Sequence, residues 1–279
     1  MLGKLTKHEI IASGRLLLPM NIALIFASLV GKFLIWITSK KAFLDSTPIA
    51  FAKIVRGISS LFTIFYILFI FAVLIATVLF LVIRFYKNHY TDEGYLMLTL
   101  PVKPISLILS KLISAIVWSI ISFSVVFCSI ALILRTDETK ESFKTLYAEF
   151  LKTLHRMAPE MNVSFGVLVA EIIVFAMILV ITKYLMYFTS ISVGHSYGGK
   201  NAIINSIVAL IVIQIITQII SSGVIFGLSR ALPNHINTFS GSGHALQSTV
   251  IVSMILNLLF CTAYLLITNN LIKTKVNLD

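Results

Sequence analysis

Six apolar stretches, each about 20 residues or longer, dominate this sequence: approximately Leu16–Ile37, Gly57–Ile83, Ile105–Leu134, Val163–Phe188, Ala202–Ser229 and Gln247–Asn270. A helix rises about 1.5 Å per residue, so about 20 residues cross the roughly 30 Å hydrocarbon core of a bilayer. Strands of a membrane barrel would be about half as long and alternate in polarity, which these stretches do not. The sequence therefore predicts an all-α polytopic membrane protein with six transmembrane helices. The second, third and fifth stretches are long, which predicts tilt or extension beyond the bilayer. Together the six use most of the 279 residues, leaving one transmembrane domain, 1–279, and no separate soluble catalytic domain. Composition agrees, because 58% hydrophobic residues and a mean hydropathy of +0.99 exceed what a soluble chain of this size buries. The first stretch has no small-x-small cleavage site, so it is expected as a retained span rather than a signal peptide.

The net charge of +11 does not point to nucleic acid. Its basic residues are scattered around span ends, where they meet lipid headgroups. An even number of spans puts both termini on one side. Counting Lys and Arg in the N-terminal segment, the second and fourth loops and the C-terminus gives 11, with Lys183 and Lys200 standing for the fourth loop. The opposite face carries 10, so the positive-inside rule decides little. Cys128 and Cys261 each sit inside an apolar run and make neither a disulfide framework nor a metal-ligand spacing. The six histidines form no H-E-x-x-H or Cys/His cluster and are expected as solvated loop or terminal residues. No metal site or catalytic grouping is expected.

One phosphate-loop look-alike fails on inspection. Gly194-His195-Ser196-Tyr197-Gly198-Gly199-Lys200-Asn201 has the G-x-x-x-x-G-K order. However, Asn201 replaces the Ser or Thr that would hold Mg²⁺, and an apolar helix rather than a strand precedes it. No Asp or Glu occurs from Ile172 to Leu278. The chain is expected to bind neither ATP nor Mg²⁺ and not to be an enzyme. The segment reads as a flexible turn between spans 4 and 5.

Polar groups within the spans are few. Lys32 and Glu171 are the intramembrane charges, and they share a leaflet if the termini are inside, which leaves pairing and snorkelling of Lys32 both open. Span 5 carries Gln214, Gln218, Ser221 and Ser222 on one face, and span 2 carries Ser59, Ser60, Thr63, Tyr66 and Thr77. Such stripes line a translocation pathway or serve as interhelical glue. Outside the spans, Phe143, Leu146, Tyr147, Phe150, Leu151, Leu154 and Met157 recur at helical spacing, with Asp137 as candidate cap and Pro159 as stop. This predicts an amphipathic third-loop helix that lies on the membrane, lids the outer mouth, or packs on its own spans. Met1–Gly14 reads as a short interfacial lead-in with a weak apolar stripe.

The interruption from Arg84 to Lys111 is the most patterned loop. Thr91-Asp92-Glu93 reads as a capped helix start with carboxylates in its first turn. Tyr95, Leu96 and Leu98 follow, and Pro101 and Pro104 stop the element. Arg84-Phe85-Tyr86, Thr91-Asp92-Glu93-Gly94-Tyr95, Thr99-Leu100-Pro101 and Ser110-Lys111 together resemble the span 2 to span 3 loop of permease subunits of bacterial type-2 ATP-binding-cassette exporters. The turn Gly194-His195…Gly199-Lys200 is similar to that family's second cytosolic loop. The third-loop helix and the weak N-terminal helix depart from the pattern.

The resemblance implies cytosolic termini in the cytoplasmic membrane and a second permease subunit, identical or homologous. It also implies a separate cytosolic ATPase dimer that carries ATP and Mg²⁺. A coupling helix at Thr91, Asp92, Glu93, Gly94, Tyr95, Leu96 and Leu98 would contact the ATPase, and Thr63, Tyr66, Gln214, Gln218 and Ser221 would line the pathway. Uncharged stripes and aromatic-rich spans suit an amphipathic or hydrophobic cargo such as a peptide, lipid or drug, with an antimicrobial or toxic peptide favoured. Two other classes stay open: a non-transporting membrane sensor or assembly protein, and a secondary transporter, although the latter is expected to show repeats and several buried ionisable groups.

Overall fold

A computed structural model describes residues 2–39, 49–91, 94, 102–134, 137–161, 163–196, 201–231 and 239–274. Among these residues there are seven helices and no strand: α1 Leu2–Ser39, α2 Ile49–Tyr90, α3 Pro104–Leu134, α4 Asp137–Glu160, α5 Phe165–Ser196, α6 Ala202–Ala231 and α7 Phe239–Thr274. All but α4 are long and apolar enough to cross a membrane. The chain is thus an all-α protein with six candidate spans, as its hydropathy predicts.

The helices outrun the apolar stretches. At 42 residues, α2 is about 63 Å long, roughly twice a hydrocarbon core. It absorbs Lys53 and Arg56 at one end and Arg84 to Tyr90 at the other, so the start of the patterned loop is helix. Pro104 opens α3 rather than merely stopping an earlier element, because a missing N–H is harmless in a first turn. Met1–Gly14 is no separate lead-in, since α1 runs unbroken from Leu2 through Pro19.

The chain packs as two compact units. One comprises Gly3–Leu81 and Ile113–Glu149. Its core is Leu24, Tyr66, Val73 and Val126, flanked by Met20, Phe62, Phe69 and Leu74. Here α1 and α3 run parallel: Trp118 Nε1 donates to Ile10 O (3.1 Å) and Asn21 Nδ2 to Ser122 Oγ (3.1 Å). The body of α2 runs antiparallel to both, with Thr77 Oγ1 donating to Ser122 Oγ (3.3 Å) and Tyr66 OH to Ser129 Oγ (2.8 Å). Small residues let these helices close: a Cβ on Gly14 would meet the Trp118 ring at 2.8 Å, and one on Gly31 the Phe62 ring at 2.9 Å.

The other unit comprises Met1–Leu2, Val82–Leu112 and Phe150–Asp279. In it α5 and α7 run parallel and α6 antiparallel. The third-loop stripe divides here. Leu154, Met157 and Ala158 of α4 pack with Met161, Phe165, Leu168 and Val250, while Phe150 stays exposed. His155 stacks on Phe165 at 3.9 Å. Self-packing therefore describes the last turns of α4. Pro159 lies within the helix, whose last residue is Glu160.

Candidate functional site

The end of α2 meets the end of α5 through an aromatic cluster. Phe85 and His89 sit one turn apart on α2, and Phe85 stacks on Phe188 of α5 with ring centroids 4.0 Å apart. Both phenylalanines are fully buried. His89 stacks on Phe85 at 4.4 Å, and its Nδ1 lies 3.0 Å from Phe85 O. Next to these residues on α2, Tyr90 stacks on His195 of α5 at 4.6 Å and Tyr86 tilts against it at 5.2 Å. Aromatic pairs at such distances add about 0.5–1.5 kcal/mol each beyond their burial. His89, 1% exposed, and the half-buried His195 correct the expectation of solvated loop histidines. An F-x-x-x-H spacing on one helix face was the available signal.

Both patterned connections leave from this cluster. Thr91 Oγ1 donates to Lys87 O, so its hydroxyl closes the last turn of α2 instead of capping a new helix. Gly94 N donates to Thr91 O at 2.7 Å, folding the chain back on α2. A Cβ on Gly94 would fall 2.8 Å from the His89 carbonyl carbon and oxygen. Only glycine permits that approach. Asp92, Glu93, Tyr95, Leu96 and Leu98 lie outside the described residues, as do Gly199 and Lys200.

Gly194 and His195 belong to α5 rather than to a flexible turn. Gly194 marks the tightest α5–α6 approach, where an added Cβ would lie 2.3 Å from the nitrogen and hydroxyl of Ser206.

Polar pairs fasten α5 to its neighbours along their length. Gln247 Nε2 donates to both oxygens of Glu171 at 3.1 Å. Thr182 Oγ1 reaches Asn257 O (3.3 Å), Thr189 Oγ1 bonds Thr268 Oγ1 (2.9 Å), and Lys183 Nζ donates to Gln214 Oε1 (3.0 Å). Thr217 of α6 bonds Tyr264 OH at 2.6 Å. Glu171 is thus held by an amide of α7. Lys32, on α1, is half-buried.

The two predicted pathway stripes fare differently. On α2, Tyr66 and Thr77 point into the core of their unit, whereas Ser60 and Thr63 are exposed and bond carbonyls of their own helix, Arg56 O and Ser59 O. They form no single lining. On α6, Gln214 and Ser221 border the packed face and Gln218 and Ser222 are exposed, so this stripe stays together along one edge.

Lys183 was missed. Counted above with the fourth loop, it stands near the middle of α5, about 20 Å from Ser196. The apolar runs on both sides of it were the available signal. Among the described residues no group of three or more His, Cys, Asp or Glu is placed to hold a metal ion. Both cysteines are free. Against protein-family models, curated proteins and solved structures, the chain has no match.

Proposed function

We propose that this chain is the permease subunit of an ATP-driven exporter in the cytoplasmic membrane. It pairs with an identical or sibling permease and is driven by a separate ATPase dimer that carries the ATP and Mg²⁺. The cargo is amphipathic or hydrophobic, and an antimicrobial or toxic peptide fits the aromatic-rich spans. The termini face the cytosol.

One observation carries this reading: Tyr90 and Tyr86 pack on His195, next to the Phe85–Phe188 stack. The two connections that resemble cytosolic loops of exporter permeases therefore start from one joint. A push delivered to the end of α2 at Thr91 reaches α5 through this joint, and α5 is fastened to α6 and α7 by the pairs above. A rigid lever feeding a packed bundle is what converts a small displacement at an ATPase into a two-state movement of spans. Six candidate spans and an acid-free stretch from Ile172 to Leu278 support an energy source outside the chain.

The test is co-expression with a candidate ATP-binding-cassette ATPase, followed by co-purification and substrate-stimulated ATP hydrolysis. Replacing Asp92, Glu93 and Tyr95 together is expected to abolish transport while the isolated ATPase stays active. A chain that purifies with no ATPase points instead to a sensor or assembly protein. Normal transport by the triple variant refutes the lever.

A further inference from the structure

The Lys183–Gln214 pair carries a charge that nothing in its own helices neutralises. Lys183 lies about 20 Å from the end of α5 at Ser196 and about 27 Å from its start at Phe165. Gln214 lies about 18 Å into α6. Apolar runs flank the lysine, I-I-V-F-A-M-I-L-V-I-T before it and Y-L-M-Y-F after it. Its Nζ is held across the seam by Gln214 Oε1 at 3.0 Å, whereas a snorkelling lysine extends along its helix towards the interface. One neutral amide oxygen occupies one of three ammonium donors and leaves the charge intact. Neither α6 nor α7 contains an acid, and the only acid of α5, Glu171, is about 18 Å away along the helix and bound to Gln247.

Such a charge is disfavoured against lipid tails and marks an interior or wetted face. Lys183 is exposed on the surface of the chain, and Gln218, one turn beyond Gln214, is exposed beside it. With Gln214 Oε1 taken by the lysine, the Gln214 amide N–H₂ is left as donor. The exposed Ile211, Ile215 and Ile219 of α6 adjoin this polar edge. A cation and amide donors beside an apolar ridge complement a head that only accepts hydrogen bonds, attached to a hydrophobic tail.

We infer that Lys183, Gln214 and Gln218 form a membrane-embedded site for the oxyanion head, phosphate or carboxylate, of an amphiphile. As a statement about cargo this rests on the exporter reading. As a binding site it does not.

The full-length chain, purified in neutral detergent, is examined by native mass spectrometry with two anionic probes. Dodecyl phosphate represents a free amphiphile and phosphatidylglycerol a bilayer lipid; dodecyl maltoside and diacylglycerol are the matched probes without an oxyanion. Preference for the anionic members is expected at about tenfold, the scale of one charge-assisted hydrogen bond. Lys183→Met removes it, Lys183→Arg keeps it, and Lys152→Met on α4 leaves it unchanged. Dependence on Lys183 with phosphatidylglycerol alone identifies the occupant as bilayer lipid; dependence with dodecyl phosphate as well identifies a transferable ligand. Either result supports the site. Undiminished preference in Lys183→Met overturns it, and so does equal loss in Lys183→Arg. Helical content by circular dichroism, with Lys183→Gln as a second charge-removing variant, separates lost binding from lost folding. No ATPase is present, so a failed co-purification strikes the exporter reading alone, and a Lys183-independent preference strikes this site alone.

Discussion

Replacing Gly194 by alanine puts a carbon where α5 and α6 leave no room. The new Cβ would lie 2.3 Å from the backbone nitrogen and hydroxyl of Ser206 and 2.4 Å from its Cα. Non-bonded carbons rest at about 3.5 Å, so α6 has to retreat by roughly 1 Å at this crossing. Two of the three obstructing atoms are main chain, and no rotamer change moves them. Overpacking of this kind costs about 1–3 kcal/mol. The retreat also strains the seam that holds Lys183 to Gln214. Intrinsic preference pulls the other way, because alanine favours a helix over glycine by about 1 kcal/mol.

Gly223, on α6, isolates that second contribution, since nothing lies within 4 Å of a Cβ placed there. Gly223→Ala is expected to be neutral or stabilising by up to about 1 kcal/mol. Gly194→Ala is expected to destabilise by up to about 2 kcal/mol after the helix gain. The two variants should differ by about 1–3 kcal/mol, the overpacking cost alone, or roughly 5- to 150-fold in the unfolding equilibrium. Unfolding in mixed micelles by increasing SDS mole fraction, followed by circular dichroism, measures both. Equal stability of the two variants refutes the reasoning, because it means that α5 and α6 are not in contact at Ser206.

Other expectations use the same assay. Phe188→Ala removes a fully buried ring stacked on Phe85 and should destabilise by about 3–5 kcal/mol, with Phe188→Leu markedly milder. Gln247→Leu strips Glu171 of its two hydrogen bonds and should destabilise by about 1–3 kcal/mol; adding Glu171→Gln should recover part of that loss, which a double-mutant cycle reads directly. Tyr66→Phe deletes the bond to Ser129, a loss of about 0.6–2 kcal/mol. Because Tyr66 is buried within its own unit, transport measured in vesicles should not change beyond that stability effect.

Hydropathy alone determined the fold class, the number of candidate spans and roughly where each one lies. A helix in lipid has to satisfy its own backbone and present apolar side chains all round, and those demands are local enough to read in one dimension. Helix ends were less legible, because outside the hydrocarbon polar residues extend a helix as readily as they end it: Arg84 to Tyr90 and Gly194 to Ser196 are helix. Which polar groups meet depended on tertiary structure. Tyr66 and Gln214 look alike as pathway candidates in sequence, yet one is bonded to Ser129 in a core and the other borders an exposed edge. The stacking of Phe85 on Phe188 joins residues 103 positions apart, and the Lys183–Gln214 bond joins residues 31 apart. Packing brings such partners together, and periodicity along a single helix carries no record of which neighbour it faces.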